Sequence, residues 1–183
     1  MQEQIVQLRA LGYSPGWASR LSPEVLRDQH TRWVSGDISD LSGLRRGAFK
    51  RLIDTGPLDQ AGVLELLALL SEEPDAKVRS WSLKRLIRRP ELGRWRLEVL
   101  KLHPLIRDAG LQEAVTHASL IRGLAADPAE PELIDAALQS GDAGVQEALL
   151  AAPGLPAAVL SELSASGASR AVRRAASERL GGG

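Results

Sequence analysis

A short phrase that occurs twice constrains how this 183-residue chain can fold more than any other feature. The letters KRLI at positions 50–53 return at 84–87, a shift of 34 residues. In the same register, an aliphatic residue followed by Arg or Gln recurs five times. These frame pairs stand at 44–45, 78–79, 111–112, 145–146 and 172–173, with steps of 34, 33, 34 and 27 residues. Because repeats of this length are typical of solenoids and helical arrays, we do not expect one compact catalytic core.

Each repeat is predicted to form a helical hairpin. From each frame pair onward, apolar or small residues recur at helical spacing, which buries one stripe of a helix. A break containing proline follows in the first four repeats, and proline lacks the amide that would continue a helix. These breaks are Gly56-Pro57, Pro90, Asp127-Pro128 and Pro153-Gly154. A second amphipathic helix is predicted after each break.

Residues that suit helix starts stand three positions before four of the frame pairs. They are Asp75, Asp108, Asp142 and Ser169. Their side chains can accept hydrogen bonds from first-turn amides, and negative charge suits the N-terminal end of the helix dipole. The sequence therefore predicts N-caps at these positions.

The repeats resemble HEAT-like repeats. The resemblance is carried by D-x-x-V-R-x-x-S-x-x-x-L at 75–86 and V-R-x-x-A-x-x-x-L at 172–180. The stretch 148–163 is similar to leucine-rich repeat variant units, which have shorter helices. Over residues 40–180, the resemblance implies an all-α fold, a right-handed α-solenoid of about five stacked helical hairpins. It implies no enzymatic activity by itself.

The resemblance also implies a ladder of Asp–Arg pairs between repeats. In that ladder Arg79 would bury its stem and pair with a turn carboxylate such as Asp40 or Asp75. Gln112 and Gln146 stand where Arg is expected. We therefore expect the ladder to be incomplete in the third and fourth repeats.

Three segments are predicted along the chain. Residues 1–39 precede the repeats, and Ser22-Pro23 is a strong helix start, with Ser as N-cap and Pro at the first helical position. We interpret this segment as an N-terminal helical cap that covers the open end of the stack. Residues 40–180 form the repeat solenoid, and residues 181–183 are expected to be a flexible tail.

Composition excludes several classes of function. Because aromatic residues make up only 3% of the chain, we expect an aliphatic core. The absence of cysteine excludes disulfides and thiolate chemistry. The three histidines lack partners at ligand spacing, and no glycine-rich phosphate loop is present. The sequence has no signal-like start and no long apolar run, so we expect a cytoplasmic protein that does not bind a membrane. We also expect that it is not an enzyme and binds no cofactor.

Charge is strongly segregated although the formal net charge is zero. Residues 77–107 hold ten basic side chains and two acidic ones, whereas residues 108–165 hold nine acidic side chains and only Arg122 as a basic one. This distribution predicts a large electric dipole. It also allows head-to-tail self-association between basic and acidic segments, which salt would weaken.

A basic face is predicted on the first two repeats. In the second repeat Lys84, Arg85 and Arg88 lie opposite the apolar stripe, with Trp81 among them. Lys50 and Arg51 occupy the same register one repeat earlier, so stacked helices would place four cations in two rows. Two interpretations of Trp81 stay open: it packs against a neighbouring repeat, or it stacks on a bound partner. The candidate partner-binding residues are Lys50, Arg51, Trp81, Lys84, Arg85, Arg88, Arg94 and Arg96.

The function expected from this pattern is a non-enzymatic interaction module that binds an acidic protein segment on the basic face. The alternative is a nucleic-acid-binding module that contacts phosphates through the same cations, with Trp81 or Trp95 stacking on bases. Zero net charge counts against long nucleic-acid contact, since nucleic-acid-binding domains usually carry an excess of positive charge.

A glycosylase of the HEAT-like class would need an exposed carboxylate beside an aromatic pocket, and no position-by-position match to that family is found.

Overall fold

The computed structural model describes residues 2–56, 58–128 and 130–182. Within these ranges the chain is helical and has no strand, so the predicted all-α class is confirmed. Eleven α-helices and one short 3-10 helix, Pro15–Ser19, make up this part of the chain. The α-helices are α1 Gln2–Ala10, α2 Pro23–Val34, α3 Leu41–Thr55, α4 Gln60–Glu72, α5 Ala76–Ile87, α6 Arg94–Lys101, α7 Ala109–Ala126, α8 Pro131–Gln139, α9 Ala143–Ala151, α10 Ala157–Ser166 and α11 Arg170–Gly181.

The predicted helix starts are confirmed. The Asp75 carboxylate accepts hydrogen bonds from the backbone N–H of Lys77 and of Val78. Asp108, Asp142 and Ser169 each accept one from the backbone N–H three residues later. Ser22 caps α2 in the same way, with Pro23 at the first helical position. Each cap stabilises its helix by about 1 kcal/mol, because it satisfies a first-turn amide that has no partner within the helix.

The predicted breaks also end helices. The helices α3, α5, α7 and α9 end one to three residues before the proline-containing breaks. Pro57 lies outside the described residues. At the tail predicted for 181–183, Gly181 is the last residue of α11, and Gly183 again lies outside the described residues.

The first of two compact units spans Met1–Arg89. In it, α3 packs along α5, and α4 contacts α5. The segment predicted as an N-terminal cap belongs to this unit, where α1 contacts both α2 and the 3-10 helix.

The second unit spans Pro90–Gly183. Here α6 packs on α7, α7 on α9, and both α9 and α10 on α11, while α8 contacts α7 and α9. The core of the last repeats is aliphatic, and the frame residues Val145 and Val172 are fully buried in it. Burying such a side chain contributes roughly 1.5–3 kcal/mol.

The second residue of every frame pair caps the end of an earlier helix. Its side chain donates a hydrogen bond to a backbone carbonyl at or just beyond that helix end, where carbonyls have no partner within the helix. Arg79 Nη1 donates to Glu73 O at 2.5 Å, and Arg173 Nη1 donates to Gly167 O at 2.6 Å. Gln112 Nε2 donates to the carbonyls of Lys101 and Ile106.

Gln146 and Arg45 complete this series of carbonyl caps. Gln146 Nε2 donates to Leu138 O at 3.2 Å, and its Oε1 accepts from the Ala168 N–H at 2.8 Å. Arg45 Nη1 donates to Leu11 O at 3.1 Å. The five frame pairs thus share one structural role.

The expectation that Arg79 pairs with an Asp of a turn is therefore wrong. Arg79 binds a carbonyl rather than Asp40 or Asp75, because Asp75 already accepts from Ser42 Oγ at 2.5 Å and from first-turn amides. A carbonyl acceptor needs only an N–H donor, so the Gln side-chain amide replaces Arg without loss of the contact. The series is not interrupted at Gln112 or Gln146.

A buried ion pair adds to the carbonyl cap in the first repeat. Arg45 Nε lies 3.1 Å from Glu73 Oε1, and the two side chains are 7% and 1% exposed. The Glu73 carboxylate also accepts from the Asp75 N–H at 3.0 Å. Gly12 has a φ of +72°, and a Cβ there would collide with the Arg45 guanidinium. Arg45 thereby ties the turn after α1 to the loop after α4.

The core of the first unit is aromatic as well as aliphatic, so the expectation of an aliphatic core is wrong there. Tyr13, Trp17 and Phe49 are all buried. The rings of Tyr13 and Trp17 have centroids 5.1 Å apart, and Trp17 meets Phe49 edge-on at 4.8 Å. Three of the six aromatic residues of the chain thus meet where the N-terminal segment contacts α3.

We predict that Tyr13 ionises about two pH units later in the folded protein than in the unfolded chain. Burial raises its pKa to about 12, whereas unfolded tyrosine titrates near 10. Because the folded state favours the neutral phenol, the stability linked to Tyr13 is full below pH ~10 and is lost as the pH rises toward 12. Tyr13 is the only tyrosine, so phenolate absorbance reports it alone.

The titration is run on native protein, on protein in concentrated guanidinium chloride, and on Tyr13→Phe as a blank. The expected midpoints are about 12 in the native protein and about 10 in the unfolded protein. A native midpoint equal to the unfolded one would contradict the buried position of the ring.

Candidate basic groove

An open groove of about 360 Å³ lies on α3 and α5 in the first unit. Four cations, one carboxylate and one indole line it. The lining residues are Asp54, Trp81, Lys84, Arg85, Arg88 and Arg89. Four positive charges against one negative charge leave an excess of three, so the groove favours an anionic ligand.

Helix periodicity explains why these side chains share one face. Positions 81, 84, 85 and 88 follow the i, i+3, i+4, i+7 pattern that defines one side of a helix. The opposite side of α5 carries Val78, Ser82 and Leu86, which are fully buried. Since packing fixes the buried side, the basic side must face the groove. The position of the cations in the last turn also suits the negative end of the helix dipole.

Asp54, in the last turn of α3, organises the base of the groove. Its carboxylate accepts two hydrogen bonds from Arg85, from Nε at 2.8 Å and from Nη2 at 2.7 Å. Lys50 Nζ donates to the same carboxylate at 2.8 Å. The hydrogen bonds from Arg85 first, and then from Lys50, hold the pKa of Asp54 far below its usual range. Asp54 is therefore ionised across the physiological pH range.

Arg89 is held in the same cluster. Its Nη1 donates to Ile53 O at 2.7 Å and lies 3.9 Å from Asp54 Oδ1. Arg85 and Arg89 thus have fixed positions before any ligand binds, since both are anchored to the C-terminal turn of α3.

Asp54 was missed by the sequence reasoning, which expected Lys50, Arg51, Lys84 and Arg85 to form four cations in two rows. The structure instead commits Lys50 and Arg85 to Asp54. A signal was present in the repeat: the shift of 34 residues that aligns Lys50 with Lys84 also aligns Asp54 with Arg88. The acidic residue at this position of the first repeat pairs with cations of the second repeat, Arg85 and Arg89.

Lys84 and Arg88 are the groove cations that remain for a ligand. Both are exposed. No carboxylate of residues 2–56, 58–128 or 130–182 pairs with either of them. Their charges are therefore available to an anion, whereas those of Arg85 and Arg89 are partly neutralised.

Trp81 forms an apolar wall of the groove. Its ring is half-buried, and Arg85 Cζ lies 5.8 Å from the ring centroid. Such a cation–π contact is worth about 0.5–1 kcal/mol at an exposed site. Part of the Trp81 side chain is covered by the protein and the rest lines the groove, so both interpretations stay open.

The other predicted residues lie apart from the groove lining. Arg51 is exposed on α3 and does not line the groove. Arg94 and Arg96 belong to the second unit. There Arg94 Nη1 pairs with Glu130 Oε2 at 3.1 Å, and Arg96 Nη1 donates to Glu91 O at 3.3 Å. The structure thus brings together Trp81, Lys84, Arg85 and Arg88, with Lys50 bound to the Asp54 that lines the groove.

The described residues offer neither a metal cluster nor a helix that spans a membrane. No three or more His, Cys, Asp or Glu side chains gather there in a way that could hold a metal ion. No described helix combines the length and the apolar character needed to cross a bilayer.

Comparison of the chain with protein-family models, with curated proteins and with solved structures finds no match. The resemblance to HEAT-like repeats therefore rests on the frame pairs and their spacing, and it stays a prediction. The groove is interpreted from its own geometry and charge.

We predict that Asp54→Asn removes an acid-sensitive part of the stability. Because the folded-state pKa of Asp54 is depressed, its contribution is present above the unfolded pKa of about 3.9 and is lost as the pH falls toward the folded value. Urea unfolding should show the wild type as more stable than the variant near neutral pH, with the difference shrinking in acid.

The matched control is Asp135→Asn, which removes an exposed carboxylate that has no cation partner in the described chain. It should leave the free energy of unfolding unchanged. If Asp54→Asn and Asp135→Asn behave alike at every pH, the Asp54 cluster does not contribute to folding.

Proposed function

We propose that this chain is a non-enzymatic interaction module of HEAT-like repeats, arranged as a right-handed α-solenoid, whose basic groove binds an acidic segment of a partner protein. The observation that carries the proposal is the pair of unpaired cations, Lys84 and Arg88, beside the half-exposed ring of Trp81 in a groove with an excess of three positive charges. The repeat frame and the packing of α3 on α5 support the repeat class.

The groove offers two kinds of contact to such a segment. Carboxylates of the partner would bind Lys84 and Arg88 through charge-assisted hydrogen bonds. An apolar side chain next to those carboxylates would pack on the exposed part of Trp81.

Asp54 sets a limit on the charge of the groove. It neutralises part of the cation cluster, and it repels an anion that approaches the base of the groove directly. A ligand is therefore expected to bind toward Lys84 and Arg88 at the outer side.

The alternative ligand is a nucleic acid that contacts phosphates through the same groove. A phosphate backbone needs a continuous track of cations, and the affinity scales with the number of phosphates neutralised. Pairing of Lys50 and Arg85 with Asp54 leaves a short track. Trp81 would supply one stacking platform, partly covered by Arg85. These features favour the acidic protein segment.

We predict that Lys84→Glu with Arg88→Glu strongly weakens binding of an acidic peptide. The probe is a fluorescein-labelled peptide rich in Glu with two Leu residues, followed by fluorescence anisotropy at low and moderate salt. The wild type should bind, and the double variant should bind at least about tenfold more weakly, because two cations at the centre of the contact become anions.

The control is Arg9→Glu with Lys77→Glu, two exposed cations outside the groove that have no ion-pair partner among the described side chains. Both double variants lower the net charge by the same four units. A difference in their affinity for the peptide is therefore due to the groove cations and not to the net charge of the protein. Equal loss in both variants, or no binding by the wild type, would reject the groove as the site. Preferential binding of single-stranded DNA, lost in the groove variant, would replace the acidic peptide with nucleic acid.

A further inference from the structure

Two cations of the basic groove stand one helical turn apart. Lys84 and Arg88 are at i and i+4 on α5, where the Cβ atoms of neighbouring side chains lie about 5–6 Å apart. Arg88 is the C-cap residue of α5 and keeps helical backbone angles, with φ of −74° and ψ of −12°. Both side chains are exposed, line the groove and pair with no carboxylate of the described chain. Their charged ends can therefore meet on a single anionic group.

The charge of the groove exceeds the charge of one carboxylate. Its lining carries an excess of three positive charges. The Lys50 ammonium, bound to Asp54 at 2.8 Å, raises this excess from three to four. The partial negative charge at the C-terminal end of α5 amounts to only about half a unit. One carboxylate of a ligand would thus leave most of the excess in place.

A carboxylate and a phosphate monoester differ in charge and in the number of acceptor atoms. A carboxylate carries one negative charge, whereas a phosphorylated side chain carries about 1.5–2 at pH 7 and has three strong acceptor oxygens. Lys offers three N–H donors and Arg five, so one phosphoryl group can accept hydrogen bonds from both side chains. It also neutralises about two charges, which matches the two unpaired cations, Lys84 and Arg88.

Asp54 does not prevent a doubly charged group from binding at the outer side of the groove. Its Oδ1 accepts from Arg85 Nε, and its Oδ2 accepts from Arg85 Nη2 and from Lys50 Nζ. Arg89 Nη1 lies 3.9 Å from the same carboxylate. Three cations around one carboxylate leave this cluster with a net charge of +2. The cluster as a whole therefore attracts an anion that binds near Lys84 and Arg88.

The compact arrangement of the unpaired cations favours a phosphate monoester over a row of phosphodiesters. Each phosphodiester of a nucleic acid carries one negative charge, and affinity grows with the number of phosphates that are neutralised along the strand. The basic groove has two cations without a carboxylate partner in the described chain, and both lie on one turn of α5. The free charge is concentrated at one place rather than spread along a track.

We propose that the acidic group bound by Lys84 and Arg88 is a phosphorylated side chain of the partner segment, so that phosphorylation of the partner strengthens binding. This inference rests on the proposed function of the basic groove and adds the chemical class of the group that the groove recognises. Trp81 lies three residues before Lys84 and lines the same groove, so it can contact an apolar side chain next to the phosphorylated residue. That contact favours a protein segment over a free phosphate ion.

The test compares three fluorescein-labelled peptides that share a Glu-containing sequence with two Leu residues. They differ only at one central position, which is Ser, Glu or phosphoserine. Binding to the full chain is measured by fluorescence anisotropy at moderate salt. The phosphoserine peptide should bind at least about tenfold more tightly than the Glu peptide, because it brings more charge and more acceptors for charge-assisted hydrogen bonds. The Ser peptide should bind most weakly.

The single variants Lys84→Gln and Arg88→Gln locate the phosphate. Each removes one of the two cations without adding a negative charge, so each should reduce the preference for phosphoserine over Glu to less than about threefold. The matched control is Lys77→Gln, which removes an exposed cation in the first turn of α5 and should leave the preference unchanged. Because all three positions are exposed, each variant should fold, and circular dichroism checks this.

Equal affinity for the phosphoserine and Glu peptides would overturn this inference and leave the proposed function in place. Absence of binding by all three peptides would reject the basic groove as the site, and the proposed function with it. A preference that survives both Lys84→Gln and Arg88→Gln would place the phosphate outside the groove. Displacement of the phosphoserine peptide by an equal concentration of inorganic phosphate would show that the groove recognises the free ion and not the segment.

Discussion

The hydrogen bond from each Arg or Gln of the frame pairs to a backbone carbonyl is the contact on which the repeat structure depends. Helix ends leave carbonyls without partners, and burying them unpaired costs about 1–3 kcal/mol each. One side chain per repeat satisfies such a group and orients the helix that follows. In the second repeat this side chain is Arg79, on the same helix as Trp81, Lys84 and Arg88. The contact that caps α4 therefore also sets the direction in which the basic face of α5 points.

Charge serves two different purposes in this chain. Arg45 and Glu73 form a buried pair whose partners also bond to the backbone, which is the arrangement that a buried charge requires. Around Asp54 the pairs are more exposed, and they hold Arg85 and Arg89 in place while Lys84 and Arg88 stay available. The first two repeats thus combine a buried structural ion pair with a partly paired cluster, in which Lys84 and Arg88 are left to receive an anion.

The sequence predicts the local structure well and the partners of its charged groups poorly. The N-caps at Asp75, Asp108, Asp142 and Ser169, and the breaks at the prolines, follow from local backbone chemistry and are confirmed. The role of Asp54 could not be derived from helix periodicity, because it depends on how α3 and α5 meet. Nor could the carbonyl partner of Arg79, since a backbone acceptor leaves no signature in the side-chain pattern. The aromatic core around Trp17 was missed because composition gives the number of aromatic residues and not their positions.

The most direct test of the account is the free energy of unfolding of Gln146→Met. Methionine keeps the shape of the side chain but leaves the Leu138 carbonyl and the Ala168 N–H without their partner. The account predicts a loss of about 2 kcal/mol or more in urea unfolding, and faster hydrogen exchange at Ala168. The neighbouring exposed change Glu147→Met should have little effect. If Gln146→Met is as stable as the wild type, the carbonyl caps at the frame pairs do not hold the repeats together.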